Sequence, residues 1–377
     1  MLDNKLNWLR LASMSNWVGA TLMSGLIKKF LDPRVALNAS QADLMSIKGW
    51  DIKKAKRFVQ EAPKSVPIVP LESLEANEIR LITFADKEYP ELLREIPDSP
   101  LLLYAKGELI DNLAPTIAIV GARNASQMGY ELAHDFAYKL SKAGFTVVSG
   151  LALGIDTYAH RGALEAGGKT IAVLANGVDI VYPRSNSKMR EKLLKSGAVI
   201  SEYAPGVAPL PWYFPIRNRI ISGICIATLV IEASARSGSL ITARLAGEQN
   251  REIFAVPGGN GKSPSQGTMD LIKEGANLVT SPEEIIDYYS ELLPEEKLEN
   301  FEELKNQEIL EDEKLTEEEK KLLLRLADEA NIDVLLKEGW NNDKLFSLLL
   351  QLEMRNYIIR LSGGRYQVKR DIKQIIK

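Results

Sequence analysis

From residue 116 onward the chain repeats one rhythm. A short apolar run rich in β-branched residues leads into a cluster of small and polar residues, and then into a stretch with apolar positions three and four apart. Residues 116–120, 145–149, 170–174, 198–203, 227–233, 252–257 and 277–280 read as strands. Several are almost continuously apolar, as strands buried on both faces are. Their alternation with helical stretches predicts an α/β core over residues 63–293: a doubly wound, parallel, extended Rossmann-like sheet with helices on both sides. The two ends read differently. Residues 1–62 carry helical spacing only, and the proline-punctuated stretch 63–70 marks a boundary. Beyond residue 314, stretches 316–326, 333–337 and 343–355 read as short helices. Stretch 357–368 reads as a hairpin turning at Gly363 and Gly364, so that 315–377 suggests a winged helix.

Composition narrows the chemistry. The chain has 377 residues, 45% hydrophobic and 26% charged, enough to bury a full core. A single cysteine, Cys225, lies in an apolar stretch and excludes a disulfide framework. With only His134 and His160, a metal centre is not expected, and no cofactor is implied. No run is apolar and long enough to span a bilayer and no signal peptide is evident, so a cytoplasmic protein without a membrane partner is expected. The net charge of −3 conceals a division: residues 1–62 carry +5, 63–293 carry −4, 294–314 carry −6 and 315–377 carry +2. The acidic stretch PEEKLENFEELKNQEILEDEK, 294–314, reads as a solvated linker. Any nucleic-acid site must therefore be local.

The candidate chemistry sits at the strand ends. IAIVGARNAS, residues 117–126, is a strand feeding a small-residue turn, and Gly121 with Arg123 ahead of a helix suits a phosphate. Similar clusters follow the other strands: SGLALGID from Ser149 and Gly150, ANGVD, SEYAPG, EASARSGSLITA with Ser237, Gly238 and Ser239, and VPGGNGKSPSQGT. A dinucleotide is disfavoured because the first turn lacks the GxGxxG spacing and the second strand ends in Ser149–Gly150 where an acid would hold the ribose. The Walker A lysine is missing too. FPIRNRIISG, residues 214–223, follows Trp212 and Tyr213 and sets Phe214 beside Arg217 and Arg219. Rings beside arginines near a phosphate loop form a platform for a single strand, although rings of this kind are also ordinary core, and one arginine could pair with Glu202 or Glu232. At the N-terminus, IKGWDIKKA, residues 47–55, approximates a helix-hairpin-helix turn. Asp51 replaces its second glycine, which favours a structural unit over a DNA contact.

These motifs stand in the order and spacing of a known family. GARNAS, VVSGLALGIDTYAH, GGKTIAVLANGVDIVYP, SEYAPG, FPIRNRIISG, EASARSGSLITA, FAVPGG and LIKEGANLV resemble the DNA-processing protein A (DprA, or Smf) family over roughly residues 76–281. The resemblance implies a non-enzymatic protein that binds and protects single-stranded DNA and helps load the RecA recombinase during natural transformation. It implies a SAM-like N-terminal domain and a C-terminal winged helix. Carried over by position, Gly121 and Arg123, with Ser126 nearby, match the phosphate-gripping turn. Arg184 stands where many relatives have a lysine near DNA, Phe214 matches a base-stacking ring, and Arg217 and Asn218 follow it. Leu271 and Leu278 fall in a region that relatives use for homodimers. Pro211 departs from a basic residue common there, which predicts weaker binding.

Two alternatives remain open. PGGNGKSPSQGT resembles the loop of nucleotide-processing hydrolases related to phosphoribohydrolases, for which Glu232 would be the carboxylate beside a ribose. The other is a nucleotide-sensing regulator with the winged helix as its output.

Overall fold

The computed structural model describes residues 2–108, 114–258, 264–299, 301, 315–326, 330–354, 357–361 and 364–368. The chain forms two compact units, Met1–Leu298 and Glu299–Lys377. In the first, nine strands make one sheet: β1 (Arg80–Thr83), β2 (Leu102–Gly107), β3 (Thr116–Val120), β4 (Thr146–Ser149), β5 (Thr170–Val173), β6 (Ala198–Ser201), β7 (Ala227–Val230), β8 (Glu252–Ala255) and β9 (Asn277–Leu278). Their order is β1-β2-β6-β5-β4-β3-β7-β8-β9. Every residue of β4, β5, β6 and β7 is buried, which is why these segments carry apolar residues with only an occasional serine or threonine and no charge.

The fully parallel sheet expected from the sequence needs correction. β3 to β9 pair in parallel, but β2 runs antiparallel to β6, with Tyr104 opposite Ser201, and β1 runs antiparallel to β2. The sheet is therefore mixed, with a two-stranded antiparallel extension on one edge. Strand direction follows from the connection, and composition does not encode it.

Ahead of the sheet, helices Leu2–Ser13, Ala20–Phe30 and Ile52–Glu61 and shorter ones between them bury Trp8, Leu26, Ile27 and Phe58 in a core continuous with the sheet's. Trp50 meets Phe58 edge-on at 5.3 Å. Asp51 is spent as the cap of Ile52–Glu61, accepting from Lys54 N at 2.8 Å. A carboxylate already fills that helix start, which agrees with a packing unit.

In the second unit, helices Glu317–Leu326, Ile332–Lys337 and Asn342–Met354 enclose Leu322, Leu335, Leu345 and Leu352. These pack against a three-stranded antiparallel sheet of β10 (Ala330–Asn331), β11 (Ile358–Leu361) and β12 (Arg365–Val368), ordered β10-β12-β11. Arg355, Gly363 and most of the acidic stretch 294–314 lie outside the described residues. Among the described residues no helix is long and apolar enough to cross a membrane. Cys225 is fully buried, and burial pushes its thiol far up.

Candidate nucleic-acid interface

From β3 the chain winds outward to β4, β5 and β6, then returns to β7 on the opposite flank of β3. Where the winding reverses, the loops after β3 and β7 diverge, leaving a crevice outside the carboxyl ends of the strands. A cleft of about 580 Å³ lies there, lined among others by Arg123, Asn124, Asp156, Tyr182, Phe214 and Ser237. Five separate loops or helix starts contribute to it, as expected from small-residue clusters on one edge.

Phe214 is half-buried in the first turn of helix Tyr213–Ile224, beside the cleft. The exposed Arg123 guanidinium lies 5.3 Å from its ring centroid, and the Tyr182 ring packs against it at 5.7 Å. Tyr182 is itself 42% exposed, so the rim offers a second ring. In the sequence Tyr182 stands only within the motif GGKTIAVLANGVDIVYP, and an aromatic two positions before Arg184 is the signal that could have singled it out. Arg184 is exposed and opens a short 3-10 turn, though it does not line the cleft. Trp212, 60% exposed, is the most open ring of the aromatic cluster and also lies outside the lining. Pro211 lines the cleft and is exposed.

Several of the expected contact residues are largely buried. Arg217 is buried: Nη1 donates to the Gly150 carbonyl at 2.9 Å and to the Val173 carbonyl, while Nε donates to Asn218 Oδ1 at 3.2 Å. Burial lowers its pKa to about 10, and the neighbouring Asp156 opposes the fall. Burial likewise raises the Asp156 carboxyl, and Arg217 opposes that rise. Gly150 is required because a Cβ there would stand 2.7 Å from the guanidinium. Ser149 Oγ is spent on the Ile119 carbonyl at 2.7 Å. Asn218 is buried and donates to the Gly238 carbonyl at 3.4 Å, bracing the loop after β7. Arg217 and Asn218 thus line the floor of the cleft with their polar groups bonded inward, while Ser149 and Gly150 lie outside the lining. Arg219 takes the pairing left open in the sequence: its side chain is 5% exposed and lies between Glu202 and Asp98. Burial works against its charge, but the two carboxylates outweigh it and raise its pKa.

The turn after β3 is held by internal bonds as well. Ser126 caps helix Gln127–Lys142 by accepting from Gly129 N, while its own N and Oγ donate to Glu232 at 2.9 and 2.5 Å. The Ala122 N–H is taken by the Glu232 carbonyl at 2.7 Å. Ser126 and the start of this helix are therefore occupied by a carboxylate. The hydrolase reading fails on the same geometry, because Glu232 is buried in a cap and does not line the cleft. Gly121 does line it. So do Ser237, Gly238 and Ser239, at the start of helix Ser239–Glu248, where the two serine hydroxyls face each other at 2.7 Å.

A family model described as DNA recombination-mediator protein A matches residues 80–290. Protein Smf of Escherichia coli strain K12 is 36% identical over 376 residues, 98% of this chain and 97% of that protein. The chain belongs to the DprA family. DNA processing protein DprA of Streptococcus pneumoniae R6 is 44% identical over 214 residues, 57% of this chain and 76% of that one. The X-ray structure of DprA from Streptococcus pneumoniae superposes with a TM-score of 0.64 at 35% identity, covering 74% of this chain and 97% of that chain. DprA from Helicobacter pylori, solved for its single-stranded DNA binding mode, gives 0.51 at 27% identity over 57% of this chain and 98% of that chain. The DprA description is of a recombination mediator, not of an enzyme. The matched span begins at β1 and contains the whole crevice. It also contains Leu271, half-buried against the core, and Leu278, 48% exposed on edge strand β9. Residues 259–263 of the loop PGGNGKSPSQGT lie outside the described residues.

Proposed function

We propose that this chain is a recombination mediator that binds single-stranded DNA in the crevice between β3 and β7, protects it, and loads RecA onto it in natural transformation. The observation that carries the reading is Arg123 exposed over Phe214 at the mouth of the cleft: a cation for a phosphodiester beside a ring for a base. Arg123 and Arg184 hold phosphates, Phe214 and Tyr182 take bases, and the Gly121 and Ser237–Gly238–Ser239 turns let the backbone approach. Asn218 and Arg217 hold these elements in place. The relatives' DNA-processing names and the single-stranded DNA mode of the Helicobacter pylori protein support the same reading.

The division we propose is a SAM-like helical domain at 1–62, a DNA-binding Rossmann-like domain at 63–293, a linker at 294–314 and a winged helix at 315–377. Three helices with a small antiparallel sheet support the last assignment. Its second long helix exposes Phe346 and Leu350, and its Lys344 is paired with Glu318 at 2.5 Å, which favours a protein partner over duplex DNA. Leu278 on an open sheet edge, near Leu271, supports a homodimer, and the protein acts in the cytoplasm.

The test is a mobility shift with oligo-dT and a matched duplex, using wild type and Arg123→Ala. Preference for the single strand and loss in the variant are expected; equal affinity for duplex, or no loss, overturns the reading. Recombinase loading is checked by RecA filament growth on coated single strands, and the dimer by mass in solution for Leu278→Arg.

A further inference from the structure

Helix Ile52–Glu61 turns one side to the core and the other to water. Ala55 and Phe58, with Ala62 just past its end, are fully buried, whereas Lys53, Lys56, Arg57 and Gln60 are exposed at the three-and-four spacing that sets them on one outer face. Lys48 stands exposed in the turn just ahead. Two acids are near in sequence, and neither pairs with these cations. Asp51 caps the helix by accepting from Lys54 N, and Glu61, one turn beyond Arg57, is left aside because the Arg57 guanidinium lies over the Trp17 ring at 4.2 Å. Among the described residues none of Lys48, Lys53, Lys56 and Arg57 enters an ion pair. Five other helices set a surface cation against an acid one turn away: Lys139 with Asp135, Arg161 with Glu165, Arg244 with Glu248, Lys273 with Asp270 and Lys320 with Glu317. The excess is local, since residues 1–62 carry +5 in a chain of net −3.

We propose that this face is a second DNA contact, separate from the crevice, which grips the phosphodiester backbone alone. Exposed cations kept out of ion pairs, in a chain of net negative charge, suit a polyanion. Trp17, the ring beside them, is covered by Arg57, so bases find no open ring there and the grip is indifferent to sequence. A protein partner fits less well, because lysine is depleted where proteins meet and aromatic anchors are favoured at the centre. A bilayer fits less well too, because the apolar side of the helix is already taken by the core. The helix shares that core with the sheet, so DNA held in the crevice and DNA held here are held by one folded unit. The choice of DNA rests on the function proposed above.

The test combines Lys48→Gln, Lys53→Gln and Lys56→Gln in the full chain, which leaves the Arg57–Trp17 stack in place. A control combines Arg80→Gln, Arg161→Gln and Lys320→Gln, three exposed or half-exposed cations that are paired with acids. Binding to oligo-dT of about 6 and about 40 nucleotides is measured from low to high salt. On the long strand the face variant should bind about tenfold more weakly or worse, with a logarithmic salt slope shallower by about 2, the weight of three phosphates. On the short strand, which one site holds at a time, its loss should stay within about twofold. The control should follow wild type on both strands, and Lys48→Arg, Lys53→Arg and Lys56→Arg together should keep the long-strand affinity. No loss in the face variant overturns the inference, and so does an equal loss in the control, which would assign the effect to net charge. Loss of binding to phosphatidylglycerol vesicles with DNA binding intact overturns it as well. If wild type binds neither strand, this reading and the proposed function fall together. If Arg123→Ala is unimpaired while the face variant loses the long strand, only the crevice reading falls.

Discussion

Arg123 and Arg184 carry the same side chain as Arg217 and Arg219, and all four come from strand-end motifs, yet the fold divides them into two kinds. The first pair is exposed, and among the described residues neither enters an ion pair. The second pair is buried: Arg217 is bound to two backbone carbonyls and Asn218, and Arg219 lies between Glu202 and Asp98. A buried guanidinium satisfies the carbonyls and carboxylates around it, whereas an exposed one keeps its donors for a ligand. In the reading proposed above, the arginines that meet DNA are those the protein leaves out of ion pairs.

The strongest challenge to this division is Arg219→Ala. It strands two half-buried carboxylates that a buried guanidinium had bridged, and should cost about 3–5 kcal/mol of stability in urea unfolding. A loss under about 1 kcal/mol, the size of a surface pair, would break the comparison. His160 probes the neighbourhood of Arg217. Burial, helped by the Arg217 charge, lowers its pKa to about 3. The unfolded chain takes up this proton near pH 6.5 while the native state stays neutral. Stability is therefore complete above pH 6.5 and falls toward pH 3, by about 1.4 kcal/mol per unit or roughly 2 kcal/mol at pH 5. Urea midpoints between pH 7 and 5 should show that slope, and His160→Asn should flatten it; an unchanged slope assigns the acid sensitivity elsewhere.

On the exposed side the effects move from stability to binding. Phe214→Ala should cost about 1–3 kcal/mol of affinity for oligo-dT with little change in salt dependence. Arg123→Ala should make the logarithmic salt slope shallower by about 0.7 and weaken all single-strand sequences alike. Its stability should stay within about 0.5 kcal/mol of wild type. A variant of Arg123 that unfolds, or one of Arg219 that does not, would erase the distinction.

Much of this was legible in the chain, for reasons that can be named. β3 to β7 were readable because strands covered on both faces are largely apolar and uncharged, β8 and β9 because they continue the same alternation, and their turns needed small residues where the ligand edge lies. β1 and β2 escaped the strand reading, and nothing in LLLYAKG says that it runs against its neighbour. Gly121, Arg123, Phe214 and Ser237–Gly238–Ser239 were correctly gathered at one edge. Arg217 was gathered there too, but with its guanidinium bonded inward, and Ser149 and Gly150 lie outside the lining. Residue type tells that a guanidinium is present; it does not tell what the fold has already bonded to it.

The sequence by itself determined the α/β core, the edge on which the crevice opens, and membership of the DprA family. These follow from periodicity and motif spacing, which are local along the chain. Only the tertiary structure decided which arginines are free, that the β1–β2 edge is antiparallel, and that Glu232 closes the helix start beside Arg123. Glu232 lies 106 residues from Ser126. Whether a strand-end acid faces a ribose, a water or the start of a helix depends on which segments the sheet brings together, and no local pattern carries that.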